Sequence, residues 1–170
     1  MKHPTVADPE ALLAELLAEG VEFIIVGGTA AVLQAAPIAT QDLDIVHRRT
    51  EENVARLMNV LVRLDAVIRY DLSNRGLRPT ATMLLGRGQI NLSTSLGPLD
   101  PLCEIGEGQG YDELLPHTEV MSDGGLTIRV LDLPTLIEIK AKTGRAKDRV
   151  ALPVLIATLE ERRLRGAKAP

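Results

Sequence analysis

Phe23-Ile24-Ile25-Val26-Gly27-Gly28-Thr29 and, a short way on, Thr40-Gln41-Asp42-Leu43-Asp44-Ile45-Val46 are the stretches that decide the fold. An apolar strand runs into a glycine pair, a small-residue helix follows, and a second strand carries two carboxylates at alternate positions. Side chains alternate across a strand, so Asp42 and Asp44 face the same way, with Leu43, Ile45 and Val46 available for core contacts. Two acids on one face repel each other unless a cation lies between them. Gly27 and Gly28 let the backbone approach a ligand closely. The N–H groups that open the next helix, from Thr29 on, can hold phosphate. Phosphate beside a two-carboxylate site is the geometry of magnesium–nucleotide chemistry.

Outward from this segment the pattern alternates helices and strands. Asp8 to Glu19 reads as a helix, capped by Asp8, with Pro9 in its first turn and Leu12, Leu13, Leu16 and Leu17 as its apolar stripe. Val21 to Val26 is a buried strand, Thr29 to Ala36 a short helix, and Leu43 to Val46 the carboxylate strand. Thr50 caps a helix from Glu51 to about Asp65, and Val67 to Tyr70 is a short strand. Residues 71–81 read as a loop. Thr82 to Leu85 and Gln89 to Leu92 read as a hairpin through Gly86-Arg87-Gly88, and Leu99 to Ile105 as extended. Gly106 to Gly110 is a glycine-rich loop, and Tyr111 to Leu115 a turn of helix. Thr118 to Met121 and Leu126 to Val130 form a hairpin through Asp123-Gly124-Gly125. A helix from Pro134 to Thr143 stops at Gly144, and a last helix spans about Ala146 to Arg163 with a kink at Pro153. The expected architecture is a single α/β (α+β) domain over residues 1–165, a mixed sheet flanked by helices, with a mobile tail at 166–170.

The glycine pair, the helix and Asp-x-Asp on a strand resemble the signature of the nucleotidyltransferase superfamily with the DNA polymerase beta type of fold. Thr40-Gln41-Asp42-Leu43-Asp44-Ile45 is most similar to the small bacterial branch that includes toxin–antitoxin-type nucleotidyltransferases. A second likeness lies in Lys140-Ala-Lys-Thr-Gly-Arg145-Ala-Lys147-Asp148. The resemblance implies a nucleotidyltransferase-like fold and a Mg²⁺-dependent transfer of a nucleoside monophosphate from a nucleoside triphosphate to a hydroxyl. Asp42 and Asp44 would ligate the metal. Gly27, Gly28 and Thr29 would meet the nucleotide, and Lys140 and Arg145 its phosphates. The family usually adds a third carboxylate. Asp100 in Gly97-Pro98-Leu99-Asp100 is favoured, as metal ligand and base, and Asn91 is the competing position. The implied acceptor is a tRNA, a protein or a small molecule, and the implied partner a cognate toxin or antitoxin.

Lys140 closes an apolar stripe with Leu133, Leu136 and Ile137, so its amine must reach water or find an anion. A local ion pair between Arg145 and Asp148 competes with a ligand role. His47 is expected at a surface strand end or at the rim of the pocket. Relatives often carry Arg where Ile38 stands, two residues before Thr40. That departure keeps a second reading open, a catalytically silent nucleotide- or partner-binding module.

Composition narrows the field. A net charge of −4 argues against a general nucleic-acid binder. With only 2% aromatic residues, no base-stacking platform is expected and the core must be aliphatic. Cys103 is the only cysteine, which excludes an internal disulfide and a cysteine metal cluster. No apolar run reaches transmembrane length, and the Met1-Lys2-His3-Pro4 start lacks a signal peptide's apolar segment, so the cytoplasm is the expected location.

Overall fold

The computed structural model describes residues 3–72 and 75–166. Its strands are β1 (Phe23–Ile25), β2 (Leu43–His47), β3 (Val67–Ile68), β4 (Leu92–Thr94), β5 (Gly97–Leu102), β6 (Thr118–Asp123) and β7 (Leu126–Leu131). Its helices are α1 (Pro9–Ala18), α2 (Gly27–Leu33), α3 (Glu51–Arg63), α4 (Ala81–Leu85), α5 (Tyr111–Leu114), α6 (Leu133–Thr143) and α7 (Ala146–Gly166). Among the described residues the strands form one seven-stranded mixed sheet in the order β3-β4-β5-β2-β1-β7-β6. β2 runs parallel to β5 and β1 parallel to β7; the remaining neighbours are antiparallel. The expected α/β class with a mixed sheet is what the chain adopts.

Local chemistry sets the helix ends. Asp8 accepts from the Ala11 N–H, Thr50 from that of Asn53 and Asp132 from that of Thr135, each relieving an orphan donor at a helix start. Gly144 ends α6 at φ +59°, a left-handed cap that glycine takes without a Cβ clash. Leu12, Leu16, Leu57 and Leu61 are fully or almost fully buried in the aliphatic core, and Ile24, Ile25, Leu43 and Ile45 bury the centre of the sheet. α1 and α3 pack together, and Arg63 ties them on the outside by pairing with Glu15 at 3.0 Å and Glu19 at 2.9 Å. α6 and α7 pair with each other, and α2 packs on β2 and α6.

Several expectations are corrected. Residues 81–85 form α4 instead of the first arm of a hairpin, because the Thr80 hydroxyl caps the turn by accepting from the Met83 N–H. Residues 88–90 pair with the end of β5: Cys103 N–H donates to the Gly88 carbonyl and Ile90 N–H to that of Pro101. The hairpin of this region is β4–β5, and β5 starts at Gly97, two residues before the expected strand. The small-residue helix opens at Gly27 and not at Thr29. α7 runs across Pro153 to Gly166, while residues 167–170 of the expected tail, and Ser73 and Asn74 of the expected loop, lie outside the described residues. Among the described residues no helix is long and apolar enough to cross a membrane.

Candidate active site

The parallel pairing of β2 with β5 sets Asp44 directly opposite Asp100. Asp42 stands just before β2. One carboxylate oxygen from each of Asp42, Asp44 and Asp100 lies within 4.8 Å of the others. The sheet therefore brings together all three expected acids, two of them far from the third in sequence. Burial foremost, then the charges of Asp42 and Asp100, push the Asp44 carboxyl up to about 7, against the pull of Lys147 and Lys140. Burial also raises Asp100, opposed by the Arg69 charge and a hydrogen bond from Asn91. A set of hard oxygen donors crowded this closely suits a divalent cation such as Mg²⁺, which would relieve the repulsion.

The glycine pair makes room for this cluster. A Cβ on Gly27 would sit 2.1 Å from Asp44 Oδ2, and Gly27 holds φ +63°. A Cβ on Gly28 would sit 2.7 Å from the Thr40 hydroxyl oxygen. That hydroxyl matters because it donates to Asp42 Oδ1 at 3.1 Å or to the Asp42 carbonyl at 3.2 Å. Thr29 donates to the same carbonyl at 3.1 Å, so its side chain fixes the approach to β2 and does not line the cavity.

Asp44 and Gly27 form part of the wall of a cavity of about 470 Å³. Lys140, Thr143, Arg145 and Lys147 line it with positive and hydroxyl groups, and Leu102, Ile105, Leu136 and Ile139 with aliphatic ones. Gly106 and Gly108 of the glycine-rich loop also face it. Two of the basic residues, Lys140 and Arg145, are held in place by Asp148, which is fully buried. Asp148 accepts from Lys140 at 2.8 Å, Arg145 at 2.7 Å and the Thr143 hydroxyl at 3.1 Å. The expected Arg145–Asp148 pair is therefore present, and Lys140 shares it at the cavity wall.

Burial alone would raise the Asp148 carboxyl, but hydrogen bonds and charge from Lys140 and Arg145 outweigh it and hold the pKa at about 2. The depressed folded pKa adds stability that is complete above the unfolded value near 4 and is lost as pH falls through 2. Linkage sets its size at about 2 kcal/mol. Asp148→Asn should therefore lower unfolding free energy by roughly that amount at pH 7, with the gap to wild type closing towards pH 2. Denaturant titrations of both proteins across that range check it; a gap independent of pH would reject this role.

Arg69 is the main member of the site that the sequence reading missed. Its guanidinium pairs with Asp100 and stands 3.9 Å from Asp42 Oδ2. Asn91, the competing third position, instead donates its amide to Asp100, as does Gln89 at 3.2 Å. Asn91 and Asp100 thus share one site. An arginine directly after the apolar pair Val67-Ile68 was the available signal, but its acidic partner lies two strands away in the sheet. His47 is neither at the surface nor at the pocket rim. It is fully buried at the end of β2, its Nε2 is 2.8 Å from the Leu84 carbonyl, and burial lowers its pKa.

No family model matches the sequence, and no curated protein matches it. Among solved structures, the chain is similar to a crystal structure described as a candidate nucleotidyltransferase from Thermotoga maritima. The TM-score is 0.55 at 16% identity, over 90% of this chain and 96% of that one. At that identity the likeness speaks to architecture, and the architecture it establishes for this chain is the nucleotidyltransferase-like α/β fold.

Proposed function

We propose that the protein is a Mg²⁺-dependent nucleotidyltransferase that moves a nucleoside monophosphate from a nucleoside triphosphate to a hydroxyl acceptor. The observation that carries this reading is the convergence of Asp42, Asp44 and Asp100 beside a cavity whose wall presents Lys140, Arg145 and Lys147. Asp42 and Asp44 would hold the ion, with Asp100 beside them. When bound, the ion supplies Lewis acidity at the phosphates and stabilises the entering and leaving oxygens. Gly27 lets the phosphates lie close to the backbone, and Lys140 and Arg145, aligned by Asp148, offset their charge. In-line attack of the acceptor hydroxyl on the α-phosphorus forms the new phosphoester bond, breaks the bond to the oxygen that bridges the α- and β-phosphorus, and releases pyrophosphate and the hydroxyl proton to solvent. The acceptor is a hydroxyl of a tRNA, a protein or a small molecule, and the Asp-Leu-Asp-Ile motif favours a toxin–antitoxin setting with a cognate partner.

A second reading has its own support. Four donors saturate Asp100, and Ile38 packs partly buried against the core where relatives carry a charge. Both features suit a silent nucleotide- or partner-binding module. Thermal melts with ATP, CTP, GTP and UTP at saturating Mg²⁺ separate the readings when paired with pyrophosphate release. A triphosphate at a hundred times its Kd should raise Tm by about 5–10 °C. Stabilisation without pyrophosphate release, on any acceptor offered, favours the silent module. An unchanged Tm with all four removes nucleotide binding altogether.

A further inference from the structure

Asp100 is only 1% exposed, yet its carboxylate has no free lone pair. Oδ1 accepts from Arg69 and from the Leu92 N–H, and Oδ2 from Asn91 and Gln89. That occupies the roughly four acceptor sites a carboxylate offers. Arg69 is held as firmly as its partner. Its Nε and Nη2 donate to the Leu92 carbonyl at 3.2 and 2.8 Å, and its side chain is 18% exposed. The guanidinium is thus pinned to backbone and strand, with Nη1 directed towards Asp42 at 3.9 Å.

Arg69 makes no ion pair with Asp44, whose carboxylate opens instead on the large cavity that carries the basic residues. Asp42 and Arg69 line a second cavity of about 280 Å³, together with Gln41, Tyr70 and Ser93, and Asp44 does not line it. A two-ion phosphoryl-transfer site places one ion with the leaving phosphates and one with the attacking oxygen. Here a fixed guanidinium stands against Asp100 and near Asp42. One guanidinium and one divalent ion together balance three carboxylates.

We propose that Arg69 is a built-in cation, so that the site takes a single divalent ion between Asp42 and Asp44 while the guanidinium occupies the place of a second ion beside Asp100. The proposal rests on the metal-dependent reading above. It makes Asp100 the anchor of Arg69 and assigns it neither metal ligation nor proton abstraction. It also makes the second cavity the side from which the acceptor hydroxyl arrives, next to a fixed positive charge.

Mn²⁺ alone, counted by electron paramagnetic resonance, tests this. Wild type should bind one Mn²⁺ per chain and Asp44→Asn none. Arg69→Gln, which keeps an amide to donate to Asp100, should bind two with mutual spectral broadening, and Arg69→Lys should bind one. Two ions in wild type, or one in a folded Arg69→Gln, overturns the built-in cation and leaves the metal-dependent reading standing. No ion in any variant overturns that reading and this proposal with it. A measurement on wild type alone covers a variant that does not fold. The Arg69 Nε–H resonance should persist at saturating Mg²⁺, and its loss to solvent exchange would show the ion displacing the guanidinium.

Discussion

Asp44→Asn should reduce nucleotide transfer by about three orders of magnitude or more, the scale of several kcal/mol of lost charge stabilisation at the phosphates. It should also remove the Mg²⁺-dependent rise in Tm. The unliganded variant should be no less stable than wild type and should melt higher at pH 8. The sign follows from the raised carboxyl. Burial and the neighbouring acids hold Asp44 at about 7 in the fold. Its ionisation on the way from the unfolded range near 4 to pH 8 therefore opposes folding. An amide of the same shape is free of that penalty. Activity assays and melts with and without Mg²⁺ decide the matter. Retention of more than about a tenth of the transfer rate would be incompatible with metal ligation at this position.

Gly27→Ala should be nearly as damaging for a different reason. The new Cβ would fall 2.1 Å from Asp44 Oδ2 and 2.8 Å from its Cγ, so the carboxylate must leave its place in the cluster. Left-handed backbone adds about 1–2 kcal/mol of strain for any residue with a Cβ. Gly20→Ala provides the control, because Gly20 has φ +72° but nothing within 4 Å of its added Cβ. Both variants should lose Tm, and only Gly27→Ala should lose Mg²⁺ binding and transfer. Equal activity in the two would mean that Asp44 does not need its present position.

Much of this was legible because it is local. The caps at Asp8 and Thr50 and the stop at Gly144 are written in residues within one turn of the helix ends they set. Alternation in Asp42-Leu43-Asp44 fixed which side chains share a face. What failed was either too short or too distant. Five residues from Ala81 to Leu85 cannot distinguish helical from strand periodicity, and the Thr80 hydroxyl settles it. Asn91 and Asp100 looked like rivals because nothing in the linear order shows that β4 folds back on β5 and sets them together. Arg69 escaped notice because an ion pair across a sheet leaves no spacing rule behind. His47 looked like a surface group because strand ends are commonly exposed, while here α4 closes over it.

The parallel pairing of β2 with β5 has a kinetic meaning. Parallel neighbours cannot be joined by a tight turn, and the chain between Asp44 and Asp100 passes through α3, β3, α4 and β4 before it returns. The cluster is thus a long-range contact, formed only after the entropy of closing that excursion has been overcome. The segment β1, α2 and β2 alone possesses two of the acids but neither Asp100 nor its arginine. Full assembly of the charged centre marks the moment the middle of the sheet is complete.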